Sequence, residues 1–125
     1  MIGWMLLGGI AGALARYHGA RVIQARVAGS FPLGTLLINL SGCWGLGLLT
    51  GLLASHPAWP ADGWRLVLGV GFFGGYTTFS SFAWETAQLW RQGQRRAAGL
   101  NLAAQAGLGA LLAAAGLLLG LHWPW

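Results

Sequence analysis

Polar side chains are rare in the apolar stretches of this sequence, and the richest group of them lies in residues 71–82. Gly74 and Gly75 are followed there by Thr77 and Thr78, a combination that weakens a helix. An interrupted helix frees backbone carbonyls, which bind cations, and backbone amides, which face anions. The same residues also suit a tight glycine packing site whose hydroxyls bond to the preceding turn. The segment therefore predicts either an ion-binding break or close helix packing.

Two further groups of side chains could do chemistry. Phe79, Phe82 and Glu85 recur every three residues and so share a helix face, where ring edges can meet an anion or simply pack. Glu85 is the only acid in a predicted span, so its carboxylate must be neutral or find a donor. Thr35 and Asn39 share a face of the preceding apolar run. The amide of Asn39 offers N–H donors to an anion or to another helix.

The elements that position these residues follow from the composition. The 125 residues are 56% hydrophobic and 7% charged, with a mean hydropathy of +0.62, whereas a soluble domain carries about 25% charge. Four apolar runs are long enough to cross a membrane, at about 2–24, 32–54, 64–90 and 97–121. Short connections containing Pro and Gly separate them. The sequence predicts one all-α membrane domain over residues 1–125, with four spans and the third span broken in the membrane.

Glycines spaced by four residues recur inside the predicted spans. The pairs are Gly8 and Gly12, Gly47 and Gly51, Gly71 and Gly75, and Gly116 and Gly120. Such pairs let helix backbones approach closely in lipid. We expect most of them to be packing contacts. Because four short spans enclose little volume, a transport pathway would require an oligomer, with a dimer as the default.

Several classes of function are excluded by the same residues. The net charge of +5 comes from arginines in separated loops, which do not form the continuous patch that binds nucleic acid. One intramembrane Glu without a nearby His supplies no enzyme chemistry. A small four-span proton-coupled multidrug transporter is the alternative kept open. Such a transporter needs a carboxylate in its first span, and residues 1–61 contain no acid.

Glycines and polar residues in the first three apolar runs form three blocks. They are Gly8-Gly9-x-x-Gly12-Ala13-x-x-Arg16-Tyr17, Gly34-Thr35-Leu36-x-x-Asn39-x-x-Gly42-x-Trp44-x-x-Gly47 and Gly71-Phe72-x-Gly74-Gly75-x-Thr77-Thr78-Phe79-Ser80-x-Phe82-x-x-Glu85. In this order the blocks closely resemble the Fluc (CrcB) family of fluoride channels. The string Gly-Gly-x-Thr-Thr-Phe-Ser-x-Phe is the most specific part of the resemblance.

The resemblance implies a fluoride-selective channel that exports fluoride passively across the bacterial inner membrane and reduces its toxicity in the cytoplasm. It implies four-span subunits in an antiparallel, dual-topology dimer with two pores. By the family pattern, backbone carbonyls of Gly74 and Thr77 from both subunits hold a central structural sodium ion. A sodium ion there would also add positive potential near the anion path.

The same pattern implies roles along the fluoride path. Asn39 would be a donor, Phe79 and Phe82 the aromatic edges, Thr78 and Ser81 polar lining, and Glu85 would sit beside the pore. The family usually has a track of hydroxyls on its fourth span. Here the matching positions are Asn101, Gln105 and Gly109, so amides of Asn101 and Gln105 would donate to fluoride instead.

The arginines are distributed unevenly. With four spans, one side of the membrane holds Arg16, Arg21, Arg26, Arg91, Arg95 and Arg96, and the other holds Arg65. The positive-inside rule then favours a single orientation, with both termini outside. A dual-topology homodimer should show less bias. The chain therefore either inserts both ways despite the bias or pairs with an oppositely oriented homologue.

Overall fold

The computed structural model describes residues 1–124, and every regular element in that range is helical, which confirms the all-α prediction. The helices are α1 (Ile2–Gln24), α2 (Leu33–Ser55), α3 (residues 61–76), α4 (Phe79–Arg91) and α5 (Arg95–Leu121). Pro32 and Pro60 directly precede α2 and α3, where a fixed φ suits the start of a helix. The four predicted runs therefore correspond to α1, α2, α3 with α4, and α5.

Three helical segments within residues 1–124 are long and apolar enough to cross a membrane. They are Leu33–Ser55, Ala61–Arg91 and Arg95–Leu121. Helix α1 has 23 residues, as many as α2, but Arg16, Arg21 and Gln24 lie in its second half. It is not among these three segments, so its crossing of the membrane stays a prediction.

Two extended residues separate α3 from α4. The last turn of α3 is Gly74–Tyr76, and the chain then extends at Thr77 (φ −87°, ψ 157°) and Thr78 (φ −145°, ψ 123°). The glycines expected to weaken the helix lie before the interruption rather than in it. Threonine is branched at Cβ and suits extended backbone, so the two threonines are the residues that leave the helix.

Glycines form the contacts between the two main helix pairs. Helix α1 packs on α3, and α2 packs along α5. A Cβ atom would collide with the facing main chain at each of four representative positions, which are Gly12 against Phe72, Gly75 against Gly9, Gly47 against Ala113 and Gly116 against Trp44. The expectation that the spaced glycines pack helix against helix is confirmed.

Hydrogen bonds join neighbouring elements at each end of the helix bundle. At one end, Ser30 Oγ donates to Gln94 Oε1 at 2.8 Å, which holds the α1–α2 turn against the α4–α5 turn. Gly29 and Gly93 shape these turns with positive φ angles of 95° and 78°. At the other end, Ser55 Oγ donates to the carbonyl of Gly120 at 3.0 Å. The two arginine-bearing turns therefore do lie on the same side of the molecule.

Candidate functional site

The side chain of Asn39 on α2 takes the place of a helical neighbour at the interruption. The backbone N–H of Thr78 donates to Asn39 Oδ1 at 2.8 Å, and Asn39 Nδ2 donates to the carbonyl of Thr78 at 2.9 Å. Both residues are buried. Buried backbone groups need partners, and one side-chain amide satisfies both groups of Thr78. Asn39 therefore makes interhelical hydrogen bonds, which is one of the two roles that the sequence predicts for it.

The interruption releases carbonyls from helical hydrogen bonding, among them those of Gly74 and Thr77. In a continuous helix, the N–H of Thr78 would donate to the carbonyl of Gly74, and that of Ser81 to the carbonyl of Thr77. Instead Thr78 donates to Asn39, and Ser81 donates to Thr78 Oγ1 at 3.2 Å. Oxygen atoms are the ligands that hard cations prefer. The carbonyls of Gly74 and Thr77, which the sequence assigned to sodium, thus have the chemistry that this ion needs.

The hydroxyl groups at the interruption serve the adjoining helices. Thr77 Oγ1 donates back to the carbonyl of Phe73 at 2.9 Å. Thr78 Oγ1 accepts from the N–H of Ser81 as the N-cap of α4 and donates to Ser81 Oγ at 3.2 Å. Ser81 is thereby placed at the start of α4, beside the extended residues rather than on the wall of the cavity that they border.

A cavity of about 500 Å³ lies against the interruption. Helices α2, α4 and α5 and the two extended residues contribute its polar and aromatic lining, which consists of Asn39, Thr77, Thr78, Phe79, Phe82 and Gln105. Apolar and small residues complete the wall, namely Gly42, Cys43, Leu46, Leu102 and Ala106. A mostly apolar cavity with a few convergent polar groups is typical of a site for a small ligand.

Two phenylalanines form an edge-to-face pair beside this cavity. The ring centroids of Phe79 and Phe82 are 5.8 Å apart, with 68° between the ring planes. In such a pair the positive edge of one ring points at the negative face of the other. Phe79 is 79% exposed, so the cavity is open on its side. The subunit by itself therefore supplies only part of the enclosure around this aromatic pair.

Gln105 approaches the same cavity from α5, within the π-helical section Ala104–Leu108. Its Oε1 accepts from Asn39 Nδ2 at 3.2 Å. Its Nε2 is buried and has no hydrogen-bond partner within residues 1–124. π-Helical turns frequently occur at functional sites, because the extra residue re-aims nearby side chains. Gln105 thus lines the same cavity as Phe79 and Phe82, with its Nε2 buried rather than open to the cavity.

Glu85 lies at a separate cavity of about 310 Å³ near the arginine-bearing turns. Thr35 Oγ1 donates to Glu85 Oε1 at 2.9 Å, whereas Glu85 Oε2 is buried without a partner in the described part of the chain. Arg21, Gln24 and Ser30 also line this cavity. The structure therefore does not place Glu85 with the aromatic pair, although all three were expected on one helix face.

Asn101 is 0% exposed and lies between α5 and α4. Its Nδ2 donates to Thr86 Oγ1 at 2.9 Å, and that hydroxyl donates to the carbonyl of Phe82 at 2.8 Å. Asn101 borders neither cavity. The sequence analysis missed Thr86, and it missed that Thr35 is the partner of Glu85. The spacing of Thr35 and Asn39 could have indicated that Thr35 bonds to Glu85, since both side chains reach across to residues 78–85.

Comparison with known proteins gives a consistent picture. The family model described as "CrcB-like protein, Camphor Resistance (CrcB)" matches residues 3–117. A fluoride-specific ion channel FluC of Solibacter usitatus is 52% identical over 91 residues, which cover 70% of each chain. A second, from Synechocystis sp., is 44% identical over 117 residues, 93% of this chain and 85% of the relative. Fluoride-specific ion channel FluC 1 of Symbiobacterium thermophilum is 44% identical over 120 residues, 94% and 96% of the two chains.

These matches, together with the apolar helices, describe a multi-pass membrane protein. They decide against the multidrug transporter alternative. The expectation that the protein is not an enzyme is also confirmed, since the named relatives are channels. The chain belongs to the CrcB-like protein family, which is a family of ion channels.

Proposed function

We propose that this protein is a fluoride-selective channel that exports fluoride passively across the bacterial inner membrane and so reduces its toxicity in the cytoplasm. The observation that carries the proposal is the cavity at the interruption, where Phe79, Phe82 and the amide of Gln105 converge. The relatives named as fluoride-specific channels supply the identity of the ion.

The chemistry of fluoride explains why such residues suit the path. Fluoride is small and strongly hydrated, so compact donors and polarised ring edges must replace its water. Phe79 and Phe82 present ring edges at the cavity, which Asn39, Thr78 and Gln105 also line, whereas Asn101 and Ser81 do not line it. Glu85 lies beside the path at the arginine-bearing end, held by Thr35. A narrow bore in the assembled channel would exclude larger anions such as chloride.

A structural sodium ion at the centre of the dimer is part of the proposal. The carbonyls of Gly74 and Thr77, released from helical bonding by Asn39 and Ser81, support it. A cation held there would add a fixed positive charge near the anion path. Buried hydrogen bonds fix the extended backbone at Thr77 and Thr78, and this keeps the carbonyls available to a cation.

The proposed assembly is an antiparallel dimer. Its support is the exposed ring of Phe79 on the open side of the cavity, which a second subunit would cover. The large exposed apolar side chains of α1 and α5 leave further surface for lipid and for a partner. The arginine asymmetry leaves two partners, an identical chain that inserts in the opposite direction or an oppositely oriented homologue.

Ion efflux from liposomes tests the function. The purified protein is reconstituted, and efflux is followed with fluoride and chloride electrodes, first in sodium buffer and then with an impermeant organic cation in its place. We expect fast fluoride release without chloride release, and loss of fluoride release when sodium is absent. A well-folded preparation that passes no fluoride, alone or coexpressed with a homologue, would overturn the proposal. Fluoride release that does not depend on sodium would overturn only the proposed cation site.

A further inference from the structure

The turn between α4 and α5 carries three exposed arginines at one end of the bundle. Arg91 is the last residue of α4, and Arg95 and Arg96 are the first two residues of α5. None of the three forms an ion pair with a residue in the described range 1–124. We call residues 90–96 the arginine turn. Its positive charges face the surroundings of the protein.

The chain has no acidic side chain available to pair with these charges. Its two acidic residues are Asp62 and Glu85. Asp62 lies 3.8 Å from Arg65 in an ion pair. Glu85 accepts a hydrogen bond from Thr35 at 2.9 Å, and its second oxygen is buried. A side-chain countercharge for the arginine turn therefore has to come from another molecule.

The position of Arg95 and Arg96 at the start of α5 makes this lack of negative charge costly. The N-terminal end of a helix carries a partial positive charge, which stabilises anions and destabilises cations. The side chain of Gln94 at the N-cap does not cap the first turn, and its Oε1 accepts a hydrogen bond from Ser30 Oγ instead. The field of the helix end thus adds to that of the arginines, and a bound anion would offset both.

Apolar side chains lie directly beside these charges. The guanidinium carbon of Arg95 lies 4.9 Å from the centroid of the Trp90 ring, which is 58% exposed. Leu100 follows Arg96 by four residues on the same face of α5 and is 65% exposed. Tryptophan is typical of the boundary between headgroups and acyl chains. The surface therefore changes from charged to aromatic to aliphatic, in the same order as a phospholipid molecule.

We propose that the arginine turn binds the phosphate headgroup of an anionic phospholipid, with Trp90 and Leu100 against the glycerol and acyl region. Guanidinium groups donate paired hydrogen bonds to phosphate oxygens. Clusters of arginine next to a membrane-spanning helix attract anionic lipids. A free phosphate would meet the same guanidinium groups but would leave Trp90 and Leu100 uncovered, so the apolar part of the surface favours a lipid.

This lipid site is separate from the proposed ion path. None of Trp90, Arg91, Arg95, Arg96 and Leu100 lines the cavity at the helix interruption or the cavity at Glu85. The proposal therefore goes beyond the channel function and does not depend on it. Its tests measure lipid binding and not fluoride flux.

Thermal unfolding of the purified protein in mild detergent measures the binding, because a ligand of the folded state raises the unfolding temperature. The probes are phosphatidylglycerol, phosphatidylcholine with the same acyl chains, glycerol phosphate and inorganic phosphate. We expect only phosphatidylglycerol to raise the unfolding temperature, and the rise to shrink as salt screens the exposed charges. An equal rise with phosphatidylcholine would show that charge is irrelevant, and an equal rise with either free phosphate would show an anion site without a lipid. Each result would overturn the proposal.

Substitution of the three arginines tests the location of the site. A chain that carries Arg91→Gln, Arg95→Gln and Arg96→Gln should bind phosphatidylglycerol roughly a hundredfold more weakly, from roughly fivefold for each basic residue near a membrane surface. Lysine at the same three positions keeps the charge but not the paired hydrogen bonds, and should recover most of the affinity. Wild-type affinity in the glutamine variant would overturn the proposal.

Arg65 provides the matched control, because it is exposed, lies near the start of α3 at the opposite end of the bundle and already pairs with Asp62. Arg65→Gln and Arg96→Gln change the net charge equally, and each alters one exposed side chain. We expect the affinity for phosphatidylglycerol to fall roughly fivefold in Arg96→Gln and to stay at the wild-type value in Arg65→Gln. Equal affinities in these two variants would mean that net charge alone attracts the lipid, and would overturn the assignment to the arginine turn.

Discussion

The glycine contacts and the helix interruption hold helices together in opposite ways. Along α1–α3 and α2–α5, main chains touch because glycine leaves no side chain between them. At Thr77 and Thr78, the main chain leaves the helix and a side chain of α2 completes its hydrogen bonds. The first region depends on the absence of atoms, and the second on particular donors and acceptors.

The difference predicts different sensitivities to substitution. Close packing tolerates no added carbon but is indifferent to charge and hydrogen bonding. The interruption tolerates changes of size on its open side but not a change of donor to acceptor, since the buried N–H of Thr78 has a single partner, Asn39 Oδ1. Substitutions that add volume and substitutions that alter polarity should therefore separate the two regions.

Added volume at a glycine contact should have the largest effect. In Gly116→Leu, the new side chain meets the backbone of Trp44 and Leu48 on α2, which cannot move without separating the helices. We expect no folded protein, measured as the loss of a monodisperse peak in detergent. Gly99→Leu is the control, because nothing lies within 4 Å of a Cβ at that glycine. Folding of both variants to the same extent would refute the packing role.

Removal of an amide should have the next largest effect, and two asparagines provide a matched pair. Asn39→Leu leaves the buried N–H of Thr78 without a partner, which costs roughly 1–3 kcal/mol of folding free energy, whereas the carbonyl of Thr78 keeps the first helical hydrogen bond of α4. Asn101→Leu costs less than about 1 kcal/mol, because Thr86 keeps its bond to Phe82 and a buried unpaired oxygen is removed. Denaturant unfolding in detergent measures both. Equal losses would mean that Asn39 has no special role at the backbone.

The smallest effect is expected at the hydroxyl of Thr77. This group already donates to Phe73, so Thr77→Ala should change the sodium concentration needed for fluoride flux by no more than about twofold. Gly74→Leu should raise that concentration far more. Within one subunit nothing lies within 4 Å of a Cβ at Gly74, so the added side chain would act on a partner subunit. Similar behaviour of the two variants would count against carbonyl ligands.

Much of this organisation follows from the sequence. Apolar length gives the helices, and glycine spacing gives the contacts between them, because both depend on local composition. The rarity of polar residues in the apolar runs pointed to Asn39 and Thr78, and the family resemblance pointed to Gln105; the three do meet at one cavity. These residues could be predicted because a polar group is costly in an apolar environment and therefore marks a functional or structural site.

What the sequence could not give is which hydrogen bond each polar group makes. Two amides and two backbone groups meet at Asn39, and the choice among donors depends on the position of Thr78 relative to α2. Periodicity likewise placed Glu85 with Phe79 and Phe82, whereas the helix directs it to Thr35 and another cavity. Side chains on one helix face cover a wide enough arc that they can contact two different sets of neighbours.

The dependence of the interruption on Asn39 also bears on how the chain is assembled. Alone in lipid, residues 61–91 would expose unpaired backbone groups at Thr78, so an uninterrupted helix is the cheaper form. The partner lies 39 residues earlier in the chain and is synthesised first. We therefore expect the third apolar segment to enter the membrane as a straight helix and to bend only when it docks on α2, so that an isolated peptide of this segment would lack the interruption.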